Sequence, residues 1–122
     1  MKDLTDRETF NDATSQEVFD FVAHHLLTQN EKSIRGNLCS YKAQKNLKCA
    51  AGCLISEDNY DTGFEGLGWN EVSNKLGMLN HCSLVADLQG LHDHTIVRKW
   101  KNELINFANF RGLSTDVLEQ FN

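Results

Sequence analysis

"ATSQEVFDFVAHHLLTQN", residues 13–30, reads as an amphipathic helix whose starting signal is part of the stretch. Thr14 and Glu17 have the spacing of a capping box, and Ala13 and Val18 that of the accompanying hydrophobic staple. Val18, Phe21, Val22, Leu26 and neighbouring Leu27 then form one apolar face. The pattern predicts a helix over 14–29. A second such stretch, "TIVRKWKNELINFANFRG" (95–112), turns Val97, Trp100, Leu104, Phe107 and Ala108 inward, with Gly112 placed to end it. Ser114 or Thr115 then caps a short last helix through Phe121.

Between them, "WNEVSNKLGML" (69–79) is helical through Trp69, Val72, Leu76 and Leu79. "SLVADLQGLHD" (83–93) places Leu84, Leu88 and Leu91 on one side, and Asp93 either ends it or caps the next helix. Proline is absent, so glycine and asparagine mark the breaks; "DTGFEGLG" (61–68) is a loop. "IRGNLCSYKAQKNLKCAAGCLI" (34–55) admits two readings. It is a hairpin pairing Leu38–Lys42 with Leu47–Ile55, or a short extended piece followed by a helical turn at 48–55. The expected fold is mainly α, with α+β as the alternative. It comprises four to five helices and a small β-hairpin near 38–55, in a single domain over 1–122 whose first thirteen residues are loosely ordered.

The 122 residues, 40% of them apolar, are enough to build a core without disulfides or metal. The polar N-terminal stretch carries no export signal and no segment reaches about 18 apolar residues, so a cytoplasmic setting with reduced thiols and no membrane contact is expected. A net charge of −5 argues against general nucleic-acid binding. Charge is nonetheless segregated. Lys32, Arg35, Lys42, Lys45 and Lys48 fall in one stretch, and Glu57, Asp58, Asp61, Glu65 and Glu71 in the next. The plain reading is two loops that complement each other. The sharper one is a basic loop that receives an anion, with Arg35, Lys42, Lys45 and Lys48 supplying charge and Tyr41 stacking.

Cys49 and Cys53, four apart in "CAAGC", would share one face of a helix. The small residues of that run suit close backbone packing, and buried free cysteine is common in cores. No cofactor is expected on that reading. With Cys39, Cys82 or His81 the pair would instead supply soft ligands for zinc. As a nucleophile, Cys49 would draw on Lys48 and a helical N-terminus, with His81, His92 or His94 as base and Asp93 orienting the ring. On the plain reading Asp93 caps a helix and His92 and His94 lie at the surface. Trp100 in "RKWK" (98–101) belongs to the core rather than to a nucleotide site, and "SIRGN" (33–37) lacks the spacing of a phosphate loop.

"CSYK" (39–42), "LKCAAGCLI" (47–55), "SEDNY" (56–60), "EG" (65–66) and "LQGLHD" (88–93) together resemble a family of small proteins encoded on phage and bacterial genomes. The resemblance implies a shared fold and a shared site at Cys39, Tyr41, Lys48, Cys49, Cys53, Glu65 and Asp93, and no particular reaction. A phage setting points to a protein that acts in the host cytoplasm by binding a host or defence component. That non-enzymatic role leads the expectations, with loop 32–48 or loop 57–71 as its contact surface. A module for a small anion such as a nucleotide, and a hydrolase or transferase using Cys49 or Cys53, are the alternatives. Phe64, Leu67, Phe110 and Phe121 would suit a homodimer surface.

Overall fold

The structure is a computed structural model and describes residues 1–121. It is mainly α, with five helices and one small antiparallel hairpin. The first helix, α1 (Arg7–Asp12), lies in the segment expected to be loose. Asp6 caps it by accepting the Thr9 amide, and Leu4 and Phe10 are buried. The Asn11 side chain donates to Gly77 O at 2.9 Å and accepts the Leu79 amide at 3.1 Å. Two buried apolar anchors and this long-range tie order the N-terminus, which local sequence signals did not reveal.

The second helix, α2 (Ser15–Gln29), carries the predicted capping box, both halves of which form between Thr14 and Glu17. Its buried stripe is Val18, Phe19, Val22, Ala23 and Leu26, with Phe21 and Leu27 only partly covered. The stripe turns slightly from the expected face because α2 is packed against both later long helices. Two strands follow, β1 (Ile34–Arg35) and β2 (Leu38–Cys39), pairing Ile34 with Cys39 and Arg35 with Leu38. Gly36, at φ +64°, allows the tight turn between them. The longer pairing expected over 38–55 is reduced to one bridge, Lys42 with Lys48. Beyond it the chain coils: the Cys53 amide bonds to Cys49 O at 3.1 Å, and Gly52–Leu54 form a 3-10 turn. The extended-piece-plus-helical-turn reading therefore describes 48–55.

The third helix, α3 (Trp69–Leu76), stops at Gly77, so Leu79 falls outside it and is 59% exposed. The fourth, α4 (Cys82–His94), runs through Asp93 rather than ending on it or being followed by a helix that it caps. A 3-10 turn at Val97–Lys99 leads into α5 (Trp100–Arg111), closed by Gly112 at φ +72°. The Leu113 amide bonds back to Ala108 O at 2.8 Å, the helix-ending bond that a left-handed residue permits. A 3-10 turn at Asp116–Gln120 ends the described chain, its first amide accepted by Ser114 Oγ at 3.1 Å.

One apolar cluster joins α1, α2, the 49–55 coil and α3 to α5. Trp100 is fully buried within it and donates its indole N–H to Thr95 O at 2.9 Å. Among the residues expected at a dimer face, Phe64 is buried, whereas Phe110 is 92% exposed. Among the described residues no helix is long and apolar enough to cross a membrane.

Candidate functional site

The last turn of α4 and the hairpin meet at a cluster of polar side chains. Helical spacing brings Gln89 over Asp93, and its amide donates to Asp93 Oδ1 at 2.6 Å. His92 is fully buried, with its ring 5.5 Å from that of Trp100. Its Nε2 lies 3.1 Å from the backbone N–H of Ser33, and its Nδ1 lies 2.8 Å from Asp93 Oδ1. A backbone amide can only donate, so Nε2 must be the unprotonated nitrogen. The neutral ring then carries its proton on Nδ1 and gives it to the carboxylate. Both ring nitrogens are spent.

Asp93 Oδ1 thus receives two hydrogen bonds, which leaves Oδ2 for Cys39 or for a ligand. Burial raises the Asp93 pKa, but the bonds from His92, Cys39 and Gln89 outweigh it and hold the carboxyl below its usual range. Cys39 responds in the opposite sense: desolvation and the facing carboxylate push its thiol up to about 11. Donor atoms of Cys39, His92 and Asp93 all lie within 4.8 Å of one another, a group that could hold a metal ion.

Beside this cluster is a cavity of about 280 Å³, with Cys39, Tyr41, Cys49, Trp69, Gln89 and Asp93 in its walls. Asp93 is the one charged residue of that lining. Tyr41 closes one side by donating its hydroxyl to Leu67 O at 2.7 Å. Glu65 clamps the backbone behind it, accepting the amides of Tyr41 at 2.9 Å and Lys42 at 3.2 Å, and the Tyr60 hydroxyl at 2.5 Å. Gln89 Oε1 accepts the Ala51 amide at 2.9 Å. Trp69 is buried, and its indole N–H has no partner among the described residues.

The residues singled out in the sequence are distributed unevenly. Cys39, Tyr41, Cys49 and Asp93 share the cavity, and Glu65 supports it. His92 is not at the surface, and Asp93 caps nothing; together they form the centre of the network. Cys49 is buried, and desolvation pushes its thiol up to about 12. Cys53 is buried too, donates its thiol to Ala50 O at 3.1 Å, and is raised well above the ordinary value by desolvation. These two pack in the core.

Cys82 begins α4, eleven residues from Asp93, so the helical rise places it roughly 16 Å away. The expected set Cys39, Cys49, Cys53 and Cys82 is therefore not gathered around one point. His81 is spent on Ala13 O at 2.8 Å, and His94 is exposed. Nor do the basic residues converge on an anion site. Lys42 and Lys48 both pair with Glu57, at 2.6 Å and 3.1 Å, so one side chain of the acidic stretch occupies two cations of the basic one. Arg35 reaches the Lys42 carbonyl at 3.3 Å, Lys45 is exposed on its 3-10 turn, and Tyr41 is too buried to stack on a nucleobase.

Three participants escaped the sequence reading. Gln89, four residues before Asp93, was legible as a neighbour on the same helix face. Trp69 was read only as a core residue. Ser33 contributes through its backbone amide, for which sequence carries no signal. Comparison with protein-family models, curated proteins and solved structures gives no match.

Proposed function

We propose that the protein is a binding module rather than a thiol enzyme, and that its cavity between the hairpin and α4 takes a cation of the zinc class. The observation that carries this reading is the double engagement of His92, which leaves no imidazole nitrogen free to deprotonate a thiol. Cys49, in the cavity wall, and Cys53 are both buried, and desolvation raises both thiols. What remains accessible is one thiol facing one ionised carboxylate, a donor pair suited to zinc. With Asp93 as its sole charged residue, the lining favours positive over anionic ligands.

Native mass spectrometry of the reduced protein tests this. The expected result is a one-to-one zinc adduct that is lost in chelator and absent in Asp93→Asn. A bare mass at micromolar zinc, with one thiol alkylating far faster than the rest, would restore the enzyme reading.

The hairpin supports a second reading, in which the module serves as an accessory factor docking on a host or defence protein. Leu38 is 76% exposed and Ile34 43% exposed, and Ile34 pairs with Cys39 across the hairpin. A partner seated there would cover the mouth of the site. Pull-down with wild type and Leu38→Asp checks it: a partner retained equally by both rules the hairpin out as the contact.

A further inference from the structure

Resting on the reading of the cavity as a metal site, we propose that the cation is held by Cys39 and Asp93 alone among the chain's side chains. His92 stays outside the coordination sphere as a positioning residue. The argument starts from Ser33. Its amide points at His92 Nε2 from 3.1 Å, in a buried setting where neither group meets water. A neutral imidazole that coordinates through Nδ1 must carry its proton on Nε2. Metal at Nδ1 would therefore set two N–H groups against each other, at the cost of the Ser33 hydrogen bond. Metal at Nε2 meets the same amide head-on. The ring cannot escape by rotation, being fully buried beside Trp100.

Distances agree. His92 Nδ1 and Asp93 Oδ1 are 2.8 Å apart, a hydrogen-bond separation. Two ligand atoms on one tetrahedral zinc sit about 3.3 Å apart. Their present contact is that of a ring donating to a carboxylate ligand and fixing its orientation. Gln89 reinforces this on the same oxygen, so Oδ2 is the atom presented for coordination. The Cys39 sulfur stands within 4.8 Å of the carboxylate, and about an ångström of closure suffices for a shared ion. Binding exchanges the thiol S–H bond for a metal–sulfur bond, with the proton released to solvent.

A four-coordinate ion held this way has only two protein ligands. Its other places take water or the donor atoms of a second molecule entering the cavity, which makes this an exchangeable site rather than a closed structural one.

NMR-active cadmium added to the reduced full-length chain tests the assignment, together with long-range hydrogen–nitrogen correlation spectra of the histidines. The expected result is one cadmium resonance coupled to the Cys39 methylene protons. His92 should keep its proton on Nδ1 before and after loading. Cadmium coupling to His92, or a proton moved to Nε2 on loading, would overturn the assignment while leaving the metal reading intact. Absence of any bound cadmium would overturn both. As a second variant, His92→Asn keeps a donor for Asp93 and removes the ring. It should weaken binding by about tenfold, as loss of a supporting contact does, with the cadmium shift unchanged. A changed shift would make His92 a ligand.

Discussion

A Cβ placed on Gly52 would lie 2.1 Å from the carbonyl oxygen of Tyr41, so the 49–55 coil and the strand-like segment bearing Tyr41 touch backbone to backbone. This explains the small residues of "CAAGC": they let the coil press against the chain that walls the cavity. Gly52→Ala is expected to cost about 3 kcal/mol or more, because the obstacle is main chain rather than a movable side chain. Urea denaturation reads it out. Gly90, inside α4 with open space around it, is the counter-example. There Gly90→Ala should stabilise by about 0.5–1 kcal/mol. Equal effects at the two positions would refute the close approach.

Glu65 holds the cavity wall by charge-assisted bonds from two amides and a phenol. Glu65→Gln should cost about 2 kcal/mol, since an amide supplies a donor where the backbone already offers one. Burial raises the Glu65 pKa, but the bonds from Tyr60, Tyr41, Ser40 and Lys42 pull it below 4.5. A folded-state pKa below the unfolded one means that this stabilisation is present above pH 4.5 and lost as pH falls through the folded value. Acid titration of the urea midpoint should therefore slope less steeply in Glu65→Gln than in wild type.

His25 contributes pH dependence in a separate window. Burial is the main cause holding its pKa below 6.5, and its Nε2–H is donated to the Lys48 carbonyl at 2.8 Å. A histidine kept neutral by folding gives stability that is full above pH 6.5 and declines as pH falls below it. Melting temperature should drop as pH falls below 6.5, and His25→Asn should flatten that part of the curve. A wild-type profile flat through this range would contradict the burial of the ring.

Thiol reactivity follows from exposure and charge. Cys39 is exposed, yet at about 11 its thiol yields about 100-fold less thiolate at neutral pH than one at the ordinary value of 9.0. Iodoacetamide at neutral pH should label Cys39 slowly, with Cys49 and Cys53 modified only on unfolding. Asp93→Asn removes the facing charge and should speed labelling of Cys39 by about tenfold. Mass mapping of the labelled peptides decides it, and an unchanged rate would mean that the carboxylate does not govern the thiol.

The helical frame was legible because its signals are local. The Thr14–Glu17 capping box forms as its spacing indicates. Trp100, Leu104 and Ala108 are buried as their periodicity implies, and Gly112 ends α5. The ordering of the N-terminal segment and the choice between the two readings of 34–55 were not legible, for the opposite reason. Leu4 and Phe10 are ordered by distant partners, and the coil at 49–55 is held by contact with Tyr41 rather than by strand pairing.

The same division runs through the site. By itself the sequence determined a mainly helical chain, the burial of Trp100 and two oppositely charged stretches, because capping, hydrophobic period and net charge act between residues a few positions apart. Only the tertiary structure decided that Cys39 stands beside Asp93, that Glu57 occupies Lys42 and Lys48, and that the Ser33 amide sets the tautomer of His92. Ser33 and His92 are 59 positions apart, and a hydrogen bond needs its partners within about 3 Å. No local pattern encodes that approach. It exists because the hairpin is docked on the end of α4.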